Sequence, residues 1–173
     1  FAIDFGTTNT CCAFKRDLEA PQLLAFSGQS SLPSAIYFDE ILDRNRPRFV
    51  VGQNALSHVA DRYEHRSLLT SLKRRLGERD APTHLVFNGF DNYVEYSTEA
   101  VCELLIGGIL DEARRSLEAS QGAGRIERIV ATYPTSFGVS ELAALRRVFD
   151  GLGYSGENLI LSFDEAPAAA FYY

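Results

Sequence analysis

A short polar run after the first apolar segment carries side chains that could bind a phosphate group and its metal ion. The run places Asp4 at the end of a predicted buried strand, and Gly6-Thr7-Thr8-Asn9 then turns the chain towards a returning strand. Gly6 would let the backbone approach a phosphate closely, and the Thr7 and Thr8 hydroxyl groups can donate hydrogen bonds to its oxygens. The Asp4 carboxylate suits Mg2+, through water. An ordinary hairpin with a Gly/Thr/Asn-rich turn explains the same residues equally well.

The last third of the chain predicts parallel strands that could present further polar groups beside this loop. Its pattern indicates a strand over Ile126–Tyr133, a helix over Ser140–Leu152 and a strand over Asn158–Phe163. Such a unit implies two parallel strands joined by a right-handed crossover. In parallel α/β sheets, ligands bind beyond the carboxyl ends of the strands.

Polar residues follow both of these strands, with Pro134-Thr135 after the first and Asp164-Glu165 after the second. If the strand ending near Asp4 belongs to the same sheet, all these groups converge on one edge. Acidic groups and a hydroxyl-bearing turn on one edge suit a site for a metal-bound nucleotide. Asp164 could instead cap the helix that we expect after it.

A basic residue, Lys73, lies in a segment whose leucine spacing predicts a helix over Ser67–Leu76 that stops at Gly77. From composition alone, Lys73 would be a solvated surface lysine. The apolar face of this predicted helix is formed by Leu68, Leu69, Leu72 and Leu76.

The longest predicted helix covers Thr98–Ser120, with Ser97 or Thr98 as its cap. Gly107-Gly108 inside it costs about 1 kcal/mol per glycine relative to alanine, so we expect a close contact with another element there. A hairpin is predicted over Leu85–Phe87 and Tyr93–Tyr96. Strands are also expected over Phe1–Phe5, Thr10–Phe14, Gln22–Ala25, Ala35–Phe38 and Arg48–Gly52, with a helix near Gln53–Asp61.

Composition limits the classes of function. The 173 residues include 46% hydrophobic residues, enough for a substantial core. The net charge of −6 argues against a general nucleic-acid-binding surface, which needs clustered Lys and Arg. No apolar run approaches the roughly 20 residues that span a bilayer, and we expect a cytoplasmic protein. The three cysteines indicate free thiols, and the three histidines lack metal-ligand spacing and are expected at the surface.

Five segments of the chain, in order and at similar spacing, resemble the nucleotide-binding domain of the seventy-kilodalton heat-shock chaperones, the DnaK type. I-D-F-G-T-T-N-T resembles the family's first phosphate loop, and I-V-A-T-Y-P resembles the strand that ends in its switch proline. The segments are Ile3–Thr10, Val51–Ala55, Ser71–Gly77, Ile129–Pro134 and Phe163–Ala170, the last reading F-D-E-A-P-A-A-A. The resemblance spans essentially the whole chain and identifies it as a divergent first lobe.

The resemblance implies a role for each matching residue. Asp4 would act on Mg2+ through water, and the loop Gly6-Thr7-Thr8-Asn9 would bind ATP or ADP, with Thr7 and Thr8 on the β- and γ-phosphates. Lys73 would point at the γ-phosphate and the attacking water. Glu165 would help to position that water or the metal shell, so that Lys73, Glu165 and Asp4 form the catalytic set. Pro134 would belong to the hinge that reports the nucleotide state.

The resemblance also implies a fold and partners. We expect an α/β, actin-like ATPase (ribonuclease H-like) fold, with a mixed sheet flanked by helices. A larger subdomain would combine residues 1–32 and 97–173, and a smaller inserted α/β subdomain would cover residues 33–96 and carry Lys73. The chain has no Met and begins inside an apolar run, so we expect a fragment of a longer protein. Its expected partners are nucleotide, a second lobe, peptide clients and co-chaperones. We expect it to bind neither nucleic acid nor a membrane.

Three departures keep other functions open. The family usually has an aromatic residue where Asn9 stands and an arginine where Leu142 stands, and its Glu-Pro-Thr is replaced by Glu165-Ala166-Pro167. The leading prediction is the ATP-binding and ATP-hydrolysing lobe of a DnaK-like chaperone. A nucleotide-sensing scaffold or actin-like assembly protein with little turnover is the main alternative, and a sugar-kinase-type phosphotransferase is another.

Overall fold

A computed structural model describes residues 1–16, 19–40, 46–58, 67–78, 84–88, 92–122 and 125–164. Its strands are β1 Ala2–Phe5, β2 Asn9–Phe14, β3 Gln22–Leu23, β4 Ser31–Pro33, β5 Ala35–Glu40, β6 Arg48–Val51, β7 Leu68–Thr70, β8 His84–Asn88, β9 Asn92–Tyr96, β10 Ile129–Tyr133 and β11 Leu159–Asp164. Its α-helices are α1 Gln53–Ser57, α2 Thr98–Gln121 and α3 Val139–Gly151, and 3-10 helices cover Leu72–Arg75 and Gly156–Asn158.

The main sheet is mixed, with the strand order β11-β10-β1-β2-β3 and with β4 paired to β2. Strand β10 runs parallel to both β1 and β11, whereas β1 and β2 form an antiparallel hairpin. The predicted parallel strands of the last third and the returning strand after the polar loop are therefore confirmed. The described chain is an α/β structure in which helices flank a mixed sheet.

The middle of the chain forms two smaller sheets. Strands β6, β5 and β7 form an antiparallel sheet, and β8 pairs with β9 as the predicted hairpin. The helix predicted over Ser67–Leu76 was wrong, because Leu68–Thr70 is a strand and only Leu72–Arg75 is a short 3-10 helix. Backbone pairing of β7 with Ala35–Tyr37 outweighs the helical spacing of the leucines, a tertiary contact that local pattern does not contain.

Helix α2 is confirmed close to its predicted bounds. The Ser97 hydroxyl caps it by accepting a hydrogen bond from the Ala100 N–H at 3.2 Å. The expected close contact at its glycine pair is also present: a Cβ on Gly108 would lie 2.7 Å from a methyl of Val51 in β6. Helix α2 can therefore approach the three-stranded sheet only because this position has no side chain.

The apolar core is continuous from the main sheet to the short segment around Lys73. Buried side chains from β1, β5, α2, α3 and the 3-10 helix share one cluster, including Ile3, Phe5, Ile36, Phe38, Leu72, Leu76, Leu105, Ile109 and Phe149. The residues that flank the polar loop and those that flank Lys73 are thus anchored in the same packed interior.

Two side-chain expectations had different outcomes. His84, expected at the surface, is 9% exposed and its Nε2 lies 3.1 Å from the Thr98 hydroxyl, so that expectation was wrong. The cysteines are free thiols as expected, and burial raises the pKa of Cys102 to about 12 and raises that of Cys12. Within the ranges that the structure describes, no helix is long and apolar enough to cross a membrane.

Candidate functional site

A cavity of about 470 Å³ opens at the edge of the main sheet where β1 and β10 end. Its lining includes residues from the sheet edge and residues from the 3-10 helix Leu72–Arg75. Its lining consists of Asp4, Gly6, Thr7, Lys73, Arg74, Pro134, Ser136, Phe137 and Glu141. The polar loop and Lys73, which are far apart in sequence, therefore share one cavity.

Asp4 is oriented by a hydrogen bond from the neighbouring parallel strand. The Thr132 hydroxyl in β10 donates to Oδ1 of Asp4 at 2.8 Å, and the register that pairs Ile3 with Ala131 sets the two side chains beside each other. A carboxylate has two acceptor oxygens, so this bond leaves Oδ2 available to a metal-bound water. The pairing of β10 with β11 also brings the backbone of Asp164 to this edge, opposite Tyr133.

The loop Gly6–Asn9 joins β1 to β2 as a tight connection. A Cβ on Gly6 would overlap the carbonyl oxygen of Asn9, so the observed loop requires glycine at this position. Gly6 and Thr7 line the cavity, whereas Thr8 and Asn9 are exposed in the same loop. Glycine is therefore needed for the turn itself, and the approach of this backbone to a phosphate stays a prediction.

Lys73 is buried although it is a lysine, with only 3% of its surface exposed. Leu72 and Leu76 on either side are also buried, at 1% each, and anchor the 3-10 helix in the core. The Lys73 Nζ lies 5.8 Å from the centroid of the Phe137 ring, a distance typical of a cation–π contact. The lysine is thus held against the segment that follows β10.

The lysine-bearing segment packs directly on the beginning of α3. Gly77 has a φ of +81°, and a Cβ there would lie 2.5 Å from the Glu141 Cα. Only glycine allows both this backbone conformation and this approach. The contact therefore holds the segment that carries Lys73 against the start of α3.

Glu141 adds a negative charge to the cavity. Its Oε2 accepts hydrogen bonds from the Gly138 N–H and from the Ser140 hydroxyl, each at 3.0 Å. Hydrogen bonds from its own backbone N–H and from Ser140 lower the pKa of Glu141 below its ordinary value, so the side chain is ionised at neutral pH. The cavity therefore combines two carboxylates with the cations Lys73 and Arg74.

This donor set suits a metal that is held mainly by water and by the ligand. Within the described ranges, no group of three or more His, Cys, Asp or Glu side chains could hold a metal ion. Mg2+ commonly binds through one or two carboxylates, several waters and substrate phosphates. Asp4 is placed to serve as such a carboxylate.

The structure brings some of the predicted site residues together, and others lie outside the described residues. Asp4, Gly6, Thr7, Lys73 and Pro134 line one cavity. Thr8 and Asn9 belong to the same loop on its exposed side. Glu165, as well as the side chain of Asp164, lies outside the described residues.

Several residues of the site were not predicted from the sequence. Thr132 could have been found only with the register of β1 on β10, which brings together residues 128 positions apart. Glu141 carries a weaker local signal, since an acidic residue at the third helical position commonly returns to the N-cap backbone. The remaining unpredicted residues are Ser34, Arg74, Ser136 and Phe137.

Two bacterial chaperones are among the proteins that are similar to this chain. Both are described as chaperone protein HscA homolog, from Aliivibrio fischeri strains MJ11 and ATCC 700601 / ES114, and each is 26% identical over an alignment that covers 99% of this chain. The chain spans 28% of the length of these relatives. No protein-family model matches the chain. The similarity supports a distant relationship to the heat-shock chaperones.

Proposed function

We propose that the chain is the first lobe of an actin-like nucleotide-binding domain, and that its parent is a DnaK-like chaperone that binds and hydrolyses ATP. The observation that carries this proposal is the shared cavity, which places Asp4, Thr7 and Lys73 around one space of about 470 Å³. The similarity to the two HscA homologs over nearly the whole chain supports it.

The sheet edge would bind the phosphates and Mg2+. Asp4 would act on Mg2+ through water, with its orientation held by Thr132. Gly6 brings the backbone close, so that N–H groups of the loop and the Thr7 and Thr8 hydroxyl groups can donate to the β- and γ-phosphate oxygens. Bound Mg2+ would offset the repulsion between the phosphates and the carboxylates of this cavity.

Hydrolysis would proceed by in-line attack of water on the γ-phosphate, without a covalent intermediate. Lys73 would neutralise the charge that develops on the transferred group and hold the attacking water in line. Its burial favours this role, because an ammonium group in a water-poor setting interacts more strongly with nearby anions. Glu165 would complete the set by positioning the water or the metal shell.

The wider organisation follows from the same proposal. A larger subdomain of residues 1–32 and 97–173 would carry the phosphate loop, and an inserted one of residues 33–96 would carry Lys73. A second lobe would supply the opposing phosphate loop and the adenosine pocket. Pro134, at the cavity and directly after β10, would belong to the hinge that reports the nucleotide state to a partner domain, and the parent protein would bind peptide clients and co-chaperones.

A second candidate function is a nucleotide-sensing scaffold with little turnover. It is favoured by Leu142, a half-buried residue of α3, at the position where the resembling family has an arginine. In that case the same cavity would bind Mg-ATP, and the Lys73 side chain would contribute to affinity more than to rate.

Calorimetry of Mg-ATP binding to the full-length protein tests nucleotide binding. We expect binding that Asp4→Asn weakens by about 10–100-fold, because a ligand of the metal's water shell is lost. Asp150→Asn, an exposed aspartate in α3, is the matched control and should bind as the wild type does. No binding by the wild-type protein, or equal affinities for all three proteins, would contradict the proposal. The 173-residue chain alone should bind weakly or not at all.

A further inference from the structure

Ser34 lies where the chain passes from β4 in the main sheet to β5 in the three-stranded sheet, and only 3% of it is exposed. Its side chain and its backbone both bind the loop Gly6–Asn9. The Ser34 hydroxyl donates to the Gly6 carbonyl oxygen, and the Ser34 N–H donates to the Thr8 carbonyl oxygen, each at 2.7 Å. A residue outside the loop therefore fixes two of its peptide units.

The Ser34 hydroxyl is itself held by Thr10. The two hydroxyl oxygens are 2.9 Å apart and buried. Since a hydroxyl group has a single proton and Ser34 gives its proton to Gly6, the Thr10 hydroxyl must be the donor in this pair. The result is a directed series of hydrogen bonds from Thr10 to Ser34 to Gly6, in which each bond strengthens the next.

We propose that Ser34 is a positioning residue that sets the phosphate-binding geometry of the loop, an inference that rests on the proposed function. The C=O and N–H of a planar trans peptide unit point in opposite directions. Fixing the Gly6 carbonyl on Ser34 therefore directs the Thr7 N–H away from Ser34, and fixing the Thr8 carbonyl does the same for the Asn9 N–H. Thr7 lines the cavity, so its N–H is kept available for an anion.

The same bonds remove an unfavourable interaction. A carbonyl oxygen that turned towards the cavity would present a partial negative charge to the phosphate. Ser34 keeps the oxygens of both Gly6 and Thr8 in hydrogen bonds on its own side of the loop. Loss of the hydroxyl frees the peptide unit between Gly6 and Thr7 while the backbone bond to Thr8 remains.

The functional test is Ser34→Ala in the full-length protein, with Mg-ATP as the probe. We expect the Kd and the KM to rise about tenfold, the effect of one lost buried hydrogen bond, with a smaller change in kcat. Ser34→Thr, which restores the hydroxyl, should recover most of the affinity. Ser116→Ala is the matched control, because its hydroxyl also donates to a backbone carbonyl, that of Ala25, at 2.7 Å.

Backbone 15N relaxation of the 173-residue chain without nucleotide tests the positioning role separately. Ser34→Ala should lower the order parameter of the Thr7 N–H from about 0.85 to below about 0.6. Asn9 and the core of α2 should stay unchanged, because the backbone bond from the Ser34 N–H to the Thr8 carbonyl oxygen remains. Thr10→Val, which preserves the side-chain shape, should act in the same direction and serves if Ser34→Ala does not fold.

An unchanged order parameter at Thr7 in Ser34→Ala, or an equal fall in Ser116→Ala, would overturn the positioning role. Wild-type affinity for Mg-ATP in a folded Ser34→Ala protein would also overturn it. If the wild-type full-length protein does not bind Mg-ATP, the proposed function fails instead, and the relaxation result still decides whether Ser34 sets the loop geometry.

Discussion

The two sides of the cavity are held in place by different kinds of structure. The sheet wall consists of Asp4, Gly6 and Thr7 and belongs to the unit formed by β1, the polar loop and β2. In this unit β1 pairs with β10 and with β2, and β2 also pairs with β4. The lysine wall, consisting of Lys73 and Arg74, is one short 3-10 helix between β7 and Gly77. The first depends on sheet hydrogen bonds, and the second on side-chain packing and on one glycine contact.

This difference indicates which contacts hold each wall. Asp4 lies in a strand that is paired to its neighbours, and the loop that contains Gly6 and Thr7 is bonded to Ser34. The lysine wall is held by the burial of Leu72 and Leu76 and by the contact between Gly77 and α3. In the proposed function, the sheet wall would bind the phosphates and the lysine wall would present Lys73 to them.

The largest effect is expected from removing the charge of the lysine wall. Lys73→Ala in the full-length protein should lower kcat for ATP by about 10²–10³, the usual loss for one group that stabilises transition-state charge. The effect on Mg-ATP affinity should be smaller, since in the proposed function the sheet wall would make most contacts to the phosphates. Steady-state ATP hydrolysis measures both.

Lys15, the other lysine of the chain, provides the matched control for this prediction. It lines a different cavity beside Arg125 and Arg128, so Lys15→Ala should retain the wild-type kcat. Equal rates for Lys73→Ala and wild type would remove the lysine from the mechanism and favour the nucleotide-sensing scaffold.

The next largest effect concerns the glycine that fixes the lysine wall on α3. Gly77→Ala should be destabilising by about 1–2 kcal/mol for the positive φ and about 1–3 kcal/mol more for overlap with the Glu141 backbone. Urea unfolding of the 173-residue chain measures the free energy.

Gly153 isolates the first contribution, the cost of the positive φ. It has a φ of +85°, close to the +81° of Gly77, but a Cβ there would meet no heavy atom within 4 Å. Gly153→Ala should therefore show only the conformational cost. Equal losses for the two variants would mean that the contact between Gly77 and α3 contributes nothing to the position of the lysine wall.

The smallest effect is expected from the ion pair between Glu99 in α2 and Arg147 in α3. Arg147 donates two hydrogen bonds to the Glu99 carboxylate, at 2.9 and 2.6 Å, and this pairing lowers the Glu99 pKa from its ordinary value of 4.5. The Arg147 side chain is 58% exposed and that of Glu99 is 37% exposed, so solvent screens the pair and Arg147→Ala should lower the free energy of unfolding by less than about 1 kcal/mol at neutral pH.

The difference in the free energy of unfolding between wild type and Arg147→Ala should depend on pH in one direction. A carboxyl group with a lowered folded-state pKa stabilises the fold above pH 4.5 and loses this effect as pH falls through the lower value. Wild type and Arg147→Ala should therefore converge in acid, as measured by urea unfolding at several pH values. Arg146→Ala, an exposed neighbour on α3, should show no such convergence.

The sheet wall could be predicted from sequence because its determinants are local. An apolar run, a Gly/Thr/Asn turn and a returning strand lie within residues 1–14, and the structure has the same arrangement. The contacts that orient it could not be predicted in the same way. Thr132 on Asp4 and Ser34 on Gly6 depend on strand register and on the path between two sheets.

The lysine wall was predicted as part of the site with the wrong local structure. The leucines at 68, 69, 72 and 76 fit a helical face, yet Leu68 and Leu69 pair with β5 and are only partly buried, whereas Leu72 and Leu76 are fully buried. Pairing with a strand more than 30 residues earlier is a long-range contact that periodicity does not encode. Lys73 was assigned to the site only through the family resemblance, and its burial was seen only in the structure.

Affinity labelling with an acyl phosphate of ATP shows whether Lys73 lies beside bound phosphates, because such a reagent acylates a neighbouring amine and releases ATP. In the full-length protein with Mg2+, we expect Lys73 to be acylated, excess ATP to prevent this, and Lys15 to show no ATP-dependent labelling, as read by peptide mass spectrometry. Labelling of Lys73 that excess ATP does not reduce, or ATP-protected labelling of Lys15 instead, would contradict a nucleotide site between the two walls.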